Sequence, residues 1–218
     1  MSYGITSYFK SDYGLFTRPE LKAERYTYSI ITPSAARGMI EAIFWKPGMR
    51  YIVDEIAVLN PIRYVNIKRN EISKKIPSGN IKSAIGGSNT DLFLSTSGDI
   101  VQRNSTVLYQ PYYVIKYHFE LTEKAGPEDT KEKYYNMILR RLKKGQCYHQ
   151  PCMGVREFPA RFGLYEEEIV TPYKGEIHDF GLMLYDMDYS NKREIKPTFF
   201  HAIMENGVVD LTKCEVIK

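Results

Sequence analysis

The chain has 218 residues, of which 43% are hydrophobic and 13% aromatic, enough for a buried core in one or two domains. Its net charge is +4, no apolar run approaches the length of a membrane span, and the amino-terminal residues lack a signal-peptide pattern, so we expect a cytoplasmic protein with no membrane partner. The three cysteines lack a disulfide-scaffold pattern, which predicts reduced thiols.

The charge is unevenly distributed. Residues 1–160 hold 23 Lys+Arg against 15 Asp+Glu, whereas residues 161–218 hold 7 against 11. A basic region rich in tyrosine is typical of a nucleic-acid surface, because cations neutralise phosphates and rings stack on unpaired bases. Asymmetry of this size also occurs by chance in many enzymes.

The amino-terminal residues predict a strand over residues 3–9, followed by a stretch in which basic side chains alternate with rings. That composition suits single-stranded RNA with unstacked bases, and it suits a packed surface strand equally well. The candidate RNA-binding residues here are Tyr13, Arg18, Lys22, Arg25, Tyr26 and Tyr28.

Residues 32–47 predict a helix with both ends marked. Thr32 can cap the first turn and Pro33 suits the first helical position, while Lys46 complements the helix dipole before Pro47. Helical spacing assigns one face to the core and the other to solvent. The core face holds Ala36, Met39, Ile40 and Ile43, and the outward face holds Arg37, Glu41 and Phe44.

Residues 50–59 are rich in β-branched and large apolar side chains and predict a strand. The segment that follows, 63–75, is strongly basic and leads into a glycine- and serine-rich stretch, so we expect a long mobile loop. Such a loop either orders on a polyanion or is a solvated insertion with no partner. Arg63, Lys68 and Arg69 are the candidate phosphate contacts.

Residues 110–121 alternate in the manner of a strand. Lys116 and His118 therefore share one face, with Cα atoms roughly 7 Å apart. An imidazole can move a proton at neutral pH and an ammonium can stabilise charge on a phosphorane, so the pair could cleave a phosphodiester without metal. The alternative is an ordinary charged surface.

Residues 129–144 predict a second helix that ends at Gly145, and residues 155–158 are a candidate closing strand of the sheet. Cys147, His149 and Cys152 lack the second ligand cluster that zinc requires, so we expect neither metal nor cofactor. Residues 161–218 predict a small acidic β domain that contacts protein, with a hairpin at Glu205, Asn206 and Gly207.

The order strand, helix, strand, strand, helix, strand is the split βαβ pattern of ferredoxin-like domains and RNA-recognition motifs. We therefore predict an α+β fold, with a ferredoxin-like (RRM-like) domain over residues 1–160 and a small antiparallel β-sheet domain over residues 161–218. No RNP-type run is present, so this is not a standard RNA-recognition motif.

Six segments resemble the fifth Cas family of CRISPR-associated proteins, within the RAMP superfamily, in the variant found in subtype I-C (Dvulg-type) systems. They are F-T-R-P-E-L-K-A-E-R at 16–25, I-T-P-S-A-A-R-G at 31–38, E-A-I-F-W-K-P at 41–47, L-N-P-I-R at 59–63, Y-V-I-K-Y-H-F-E-L-T at 113–122 and G-Q-C-Y-H-Q-P-C-M-G-V-R-E-F-P-A at 145–160.

The resemblance implies an endoribonuclease that cleaves precursor CRISPR RNA at the base of the repeat hairpin and keeps the 5′ handle within Cascade. Family cleavage needs no metal, uses the substrate's 2′-hydroxyl and leaves a 2′,3′-cyclic phosphate. The family's catalytic Lys and His correspond to Lys116 and His118, and its catalytic Tyr corresponds to Phe44, which has no hydroxyl. Tyr13, Tyr26 or Tyr28 could supply that hydroxyl.

The implied partners are CRISPR RNA and the backbone and large subunits of Cascade. On this resemblance, Arg37 and Lys46 become candidate phosphate contacts. A second hypothesis is a non-catalytic subunit that clamps the 5′ handle, and a third is non-specific binding of double-stranded DNA, which would be sensitive to salt.

Overall fold

The computed structural model describes residues 4–21, 23–191 and 193–218, which form an α+β fold with more strand than helix. The α+β prediction is therefore confirmed. The elements are β1 (Ile5–Lys10), β2 (Tyr13–Gly14), β3 (Arg25–Tyr26), α1 (Pro33–Ile43), β4 (Met49–Val58), β5 (Tyr64–Ile72), α2 (Ser78–Ile85), α3 (Thr96–Asp99), β6 (Ile100–Tyr109), β7 (Tyr112–Leu121), α4 (Lys131–Lys144), β8 (Arg161–Leu164), β9 (Ile177–Asp188), β10 (Lys196–Glu205), β11 (Val208–Asp210) and β12 (Val216–Ile217).

A large sheet of eight strands organises the fold, in the order β12-β10-β11-β4-β7-β1-β8 with β9 on the free side of β10. Within it β4, β7, β1 and β8 pair antiparallel with their neighbours. Helix α1 connects the β1 region to β4, and α4 leads from β7 towards β8. Each helix buries an apolar stripe of three or more residues, which is how an amphipathic helix covers one face of a sheet.

Both ends of α1 follow from local chemistry. The Thr32 hydroxyl accepts a hydrogen bond from the Ala35 amide at 3.3 Å, so the predicted cap is confirmed. The helix ends earlier than expected, because Phe44 adopts an extended conformation with φ −155° and ψ 127°. That change turns the Phe44 ring inward, where it is 2% exposed, so the expectation that Phe44 faces solvent is wrong.

The prediction of a mobile basic loop is wrong over residues 64–72, which form β5. Strand β5 pairs with β6 in an unbroken antiparallel register from Tyr64 opposite Leu108 to Ile72 opposite Ile100. Together with β2 and β3 these strands form a second, four-stranded sheet. The basic side chains masked the strand signal, because they alternate with Val65, Ile67 and other residues of higher β-propensity.

The carboxy-terminal strands continue the large sheet. Strand β11 pairs with β4, and β10 pairs with β9, β11 and β12, all antiparallel.

The predicted hairpin is confirmed, since Asn206 and Gly207 both have positive φ, at 51° and 77°. On the side of β1 away from β7, the neighbouring strand is β8, so the closing strand expected at 155–158 lies a few residues later. The domain boundary at residue 160 stays a prediction.

Within residues 4–21, 23–191 and 193–218, no helix is both long and apolar enough to cross a membrane.

The burial of Phe44 gives the first testable prediction. Replacing Phe44 with alanine should lower the free energy of unfolding by about 3–5 kcal/mol, because a fully packed ring is lost and a cavity remains. The matched control is Phe93→Ala, since Phe93 is 70% exposed and its loss should change stability by no more than about 0.5 kcal/mol. Urea denaturation measures both, and equal midpoints would contradict the burial of Phe44.

Candidate functional site

Strand β7 carries Lys116 and His118 in the middle of the large sheet. Alternation along the strand is as predicted, since Tyr113, Ile115, Tyr117 and Phe119 are buried on one face. Lys116 and His118 lie on the other face, with side chains that are 42% and 24% exposed. The pair is thus held by a rigid central strand and remains accessible from solvent.

An irregularity in β4 supplies both residues with carboxylate partners. Its register against β7 shifts between Val53 and Glu55, so that Val53 lies opposite Tyr117 and Glu55 opposite Lys116. In a regular strand Asp54 and Glu55 would point to opposite faces. The extra residue of the bulge lets both carboxylates reach the face of the lysine and the histidine.

The resulting contacts are short. The Lys116 Nζ atom lies 2.7 Å from Oε2 of Glu55, and His118 Nδ1 lies 2.9 Å from each carboxylate oxygen of Asp54. An ionised carboxylate only accepts hydrogen bonds, so Nδ1 must carry the proton and the Nε2 atom is left to act on a ligand. Four ionisable groups therefore form one cluster.

Asp54 and Glu55 were not predicted from the sequence. The signal was available, because an Asp-Glu pair in the middle of the apolar run R-Y-I-V-D-E-I-A-V-L is unusual for a buried strand. What could not be seen was the register that places these acids beside β7. A hydroxyl was missed as well: Thr6 on β1 is the register partner of Lys116 and so shares this face of the sheet.

Phe44 lies on the opposite side of the sheet from this cluster. Its ring packs edge-on against Tyr134 of α4 with centroids 5.7 Å apart, and its carbonyl accepts a 2.8 Å hydrogen bond from the Tyr51 hydroxyl. Burial raises the pKa of Tyr51, which keeps that hydroxyl protonated. Because Tyr51 packs on Tyr117, Phe44 belongs to the helix-covered face, and the structure does not bring it together with Lys116 and His118.

A family model described as CRISPR-associated protein (Cas_Cas5) matches residues 4–212 of the chain. The chain belongs to this family of CRISPR-associated proteins. The family resemblance expected from the six sequence segments is confirmed.

Two relatives within the Cas5 family are close over most of their length. The chain is 42% identical over 217 residues to a protein of Mannheimia succiniciproducens named CRISPR pre-crRNA endoribonuclease Cas5d, covering 97% of this chain and 96% of the relative. It is 35% identical over 217 residues to a protein of the same name from Thermus thermophilus, with coverage of 92% and 87%.

Solved structures share the fold of this Cas5-family chain. A crystal structure of a CRISPR-associated protein superposes with a TM-score of 0.72 at 23% identity, covering 100% of this chain and 97% of that chain. A chain of a CRISPR RNA-guided surveillance complex gives a TM-score of 0.51 at 11% identity, with coverage of 98% and 89%.

The predicted RNA-binding residues fall into two groups in the structure. One group lies on the second sheet, where Tyr26 of β3 and Lys68 of β5 share an exposed face with Tyr64, whose ring centroid is 6.0 Å from that of Tyr26. The other group, Arg37 and Lys46, lies on and just after α1. Tyr64 was not predicted to bind RNA, although its position beside Arg63 repeats the alternation of rings and basic side chains seen between Tyr13 and Tyr28.

Several of the predicted arginines bind carboxylates of the protein itself. Arg18 lies 3.7 Å from Glu20, Arg25 lies 3.2 Å from Glu71, and Arg69 forms an ion pair with Glu157. The Arg25–Glu71 pair joins β3 to β5 within the second sheet, and the Arg69–Glu157 pair joins β5 to the segment before β8. A phosphate would have to compete with, or share, the existing partners.

The predicted tyrosines differ in availability. Tyr28 is 3% exposed and lies beneath the Arg18 guanidinium, 5.0 Å from its ring centroid, so its ring has no open face for a base. Tyr13 packs between the rings of Tyr109 and Phe158. Neither lies on β7. Lys22, the remaining residue of that predicted set, lies outside the described residues.

Among the residues that the structure describes, no group of three or more His, Cys, Asp or Glu side chains is arranged to hold a metal ion.

Arg37 forms a salt bridge that was not predicted from the sequence. Its guanidinium binds both carboxylate oxygens of Asp186 on β9, with a 2.9 Å bond from Nη2, and its Nε atom lies 3.4 Å from Glu41. Burial alone would lower the pKa of Arg37, but the attraction to Asp186 outweighs burial and raises it. Arg37 thus ties α1 to the carboxy-terminal strands.

That bond gives the second prediction. Arg37→Ala should lower the free energy of unfolding by about 1.5–3 kcal/mol, because the half-buried Asp186 loses a charged partner. Arg50→Ala is the matched control, since the pair Arg50–Glu120 is mostly exposed and contributes about 0–1 kcal/mol. Chemical denaturation compares the two variants. Equal losses would show that the Arg37–Asp186 bond contributes no more to stability than an exposed ion pair does.

Proposed function

We propose that this chain is a CRISPR endoribonuclease that cleaves precursor CRISPR RNA at the repeat hairpin and stays bound to the 5′ handle as a subunit of Cascade. The observation that carries the proposal is the cluster of Lys116, His118, Asp54 and Glu55 on one open face of the sheet. The name of the Mannheimia relative, CRISPR pre-crRNA endoribonuclease Cas5d, supports the same activity at 42% identity.

The proposed reaction uses the substrate's own 2′-hydroxyl. Its oxygen attacks the adjacent phosphorus, the bond from phosphorus to the 5′ oxygen breaks, and the products are a 2′,3′-cyclic phosphate and a 5′-hydroxyl. One proton must leave the 2′ oxygen and one must reach the departing 5′ oxygen. The Nε2 atom of His118 can perform one of these transfers, with Asp54 holding the imidazole in the required tautomer and orientation.

Lys116 has a different role in this scheme. Negative charge grows on the non-bridging oxygens as the phosphorane forms, and an ammonium placed there lowers the barrier. Glu55 fixes the Lys116 side chain at 2.7 Å, so the cation is positioned before substrate binds. Because these groups supply both proton transfer and charge stabilisation, the scheme requires no metal. Thr6, opposite Lys116, offers a hydroxyl on the same face.

We further propose that β1, α1, β4, β7, α4 and β8 form a ferredoxin-like unit. The strand order β4-β7-β1-β8, antiparallel throughout, supports this assignment. The exposed face of the second sheet, with Tyr26, Tyr64 and Lys68, would hold RNA beside the cleavage site. The acidic strands after residue 160 would contact the backbone or large subunit of Cascade, in keeping with the fold shared with a chain of the surveillance complex.

A second candidate function is favoured by Phe44. The family's catalytic tyrosine falls on this residue, which has no hydroxyl and lies on the buried side of the sheet. The chain would then clamp the 5′ handle without cutting it.

Binding of double-stranded DNA through the basic region would differ from both, because it would lack sequence preference and would weaken steeply with salt.

The third prediction separates cleavage from clamping. His118→Ala should reduce single-turnover cleavage of labelled repeat RNA by about 10²- to 10⁴-fold, the usual contribution of a proton-transfer group, while RNA affinity is retained. His201→Ala is the matched control, because His201 also binds an aspartate, Asp179, at 2.7 Å but lies on β10. EDTA should leave the wild-type rate unchanged, and the upstream product should carry a cyclic phosphate.

Normal cutting by His118→Ala would overturn the assignment of the site. A wild-type chain that binds repeat RNA tightly but never cuts it would establish the clamping role instead.

The fourth prediction concerns Asp54 as a positioning residue. Asp54→Asn should slow the single-turnover rate at saturating protein, by less than His118→Ala does, while the Kd for RNA and the melting temperature stay close to wild type. The amide can no longer enforce the tautomer that leaves Nε2 reactive. Asp179→Asn, which alters the His201 pair, is the control and should cut normally. A change in Kd alone would contradict the positioning role.

A further inference from the structure

A cleft opens on the helix-covered side of the sheet, at the carboxy-terminal end of α1. It measures about 620 Å³ and is walled by Trp45, Lys46, Arg141, Tyr148 and His149, with Phe44 beneath. This volume is within the range of pockets that hold a small ligand or one nucleotide. We call it the tryptophan cleft. Neither Lys116 nor His118 lines it.

The walls of the tryptophan cleft are held in place by hydrogen bonds to the last carbonyl groups of α1. The last carbonyls of α1 lack partners within the helix. The Tyr148 and His149 amides both donate to the Ala42 carbonyl, at 3.0 and 2.9 Å, and Arg141 donates to the carbonyl of Ile43. These bonds bring a segment from beyond α4 onto the end of α1, so the cleft is preformed.

Two large aromatic side chains remain open to solvent there. Trp45, the only tryptophan of the chain, is 50% exposed, and Tyr148 is 77% exposed. The Tyr148 ring meets the His149 ring edge-on at 4.4 Å, which limits how it can turn. Exposed rings held by a fixed backbone are the platforms on which unpaired bases stack.

The charge of the cleft matches a nucleotide. Lys46 is exposed at the rim, and the Arg141 guanidinium lies 5.2 Å from the centroid of Phe44. Arginine carries five N–H donors, so its bond to the Ile43 carbonyl leaves capacity for a phosphate. Glu41 is the acid in the lining, and its carboxylate lies 3.4 Å from the Arg37 Nε.

We propose that the tryptophan cleft binds one unpaired nucleotide of the RNA, with the base stacked on Trp45 or Tyr148 and the phosphate held by Lys46 and Arg141. The inference rests on the proposed function only in taking RNA as the ligand. Because the cleft and the Lys116–His118 cluster lie on opposite faces of the sheet, this nucleotide is outside the cleaved linkage. The site therefore contributes affinity and register, and it takes no part in bond breaking.

The position of Trp45 makes the test direct, because it is the sole tryptophan and its fluorescence reports the cleft alone. Purified His118→Ala protein is titrated with an unpaired repeat-derived RNA and, separately, with a duplex of the same sequence. Stacking should quench the emission saturably with the unpaired RNA and not with the duplex. Unchanged emission at RNA concentrations that saturate binding would overturn the proposal, as would equal quenching by the duplex.

Substitutions of the two cleft rings test how much each contributes to RNA affinity. Trp45→Ala and Tyr148→Ala should weaken binding of the unpaired RNA, at least one of them by about 5- to 150-fold, the loss expected for one stacking ring. Trp45→Phe keeps a ring and should retain most of the affinity. Tyr189→Ala removes a tyrosine that is 61% exposed just after β9, outside the lining of the tryptophan cleft, and should bind as wild type does. Wild-type affinity in both cleft variants would refute the proposal.

The two proposals fail separately. If His118→Ala still cleaves the repeat while its tryptophan is quenched, the assignment of the cleavage site is lost and the cleft stands. If His118→Ala is inactive but its tryptophan does not respond to RNA, the cleft is lost and the cleavage site stands. Melting temperatures of all variants show whether a loss of binding reflects a loss of folding.

Discussion

The bulge between Val53 and Glu55 is the feature on which the candidate site depends. Without it, strand alternation would direct one of the two adjacent acids into the apolar core, and either Lys116 or His118 would lose its partner. With it, a lysine, a histidine and two carboxylates share one face, and each basic group lies within 2.9 Å of an acid. A phosphate entering it meets positioned donors that need no reorganisation.

The large sheet separates two kinds of surface. On one side α1 and α4 cover a core of aromatic rings that includes Phe44, Tyr51 and Tyr117. On the other side the ionisable cluster stays open. This division gives the Phe44 ring a structural role in this chain, where it packs against Tyr134 of α4 and stabilises the fold. It also places the tryptophan cleft and the proposed cleavage site on different faces, so an RNA that used both would have to pass around an edge of the sheet.

Parts of this arrangement were predictable because they rest on local chemistry. Thr32 caps α1 by a bond to a residue three positions on, Gly145 ends α4 with φ 63°, and Asn206-Gly207 turns a hairpin, and each of these depends on neighbours in the chain. The pairing of Lys116 with His118 on one face follows from strand alternation alone. The predictions are wrong for β5, because its alternating cations resemble the composition of a loop, and for Phe44, because it lies one residue beyond the end of α1 and no longer follows helical spacing.

The sequence by itself determined the family, the α+β class, the approximate bounds of β1, α1, β4, β7 and α4, and the two residues proposed to carry the chemistry, because these depend on motifs and on periodicity along the chain. Only the tertiary structure decided which groups meet. Asp54 and His118 are 64 positions apart in the sequence, and Arg37 and Asp186 are 149 apart. The Tyr148 amide donates a hydrogen bond to the Ala42 carbonyl at the end of α1. Such contacts depend on strand register, on one bulge and on unsatisfied carbonyls at a helix end, and these are fixed only when the whole chain packs.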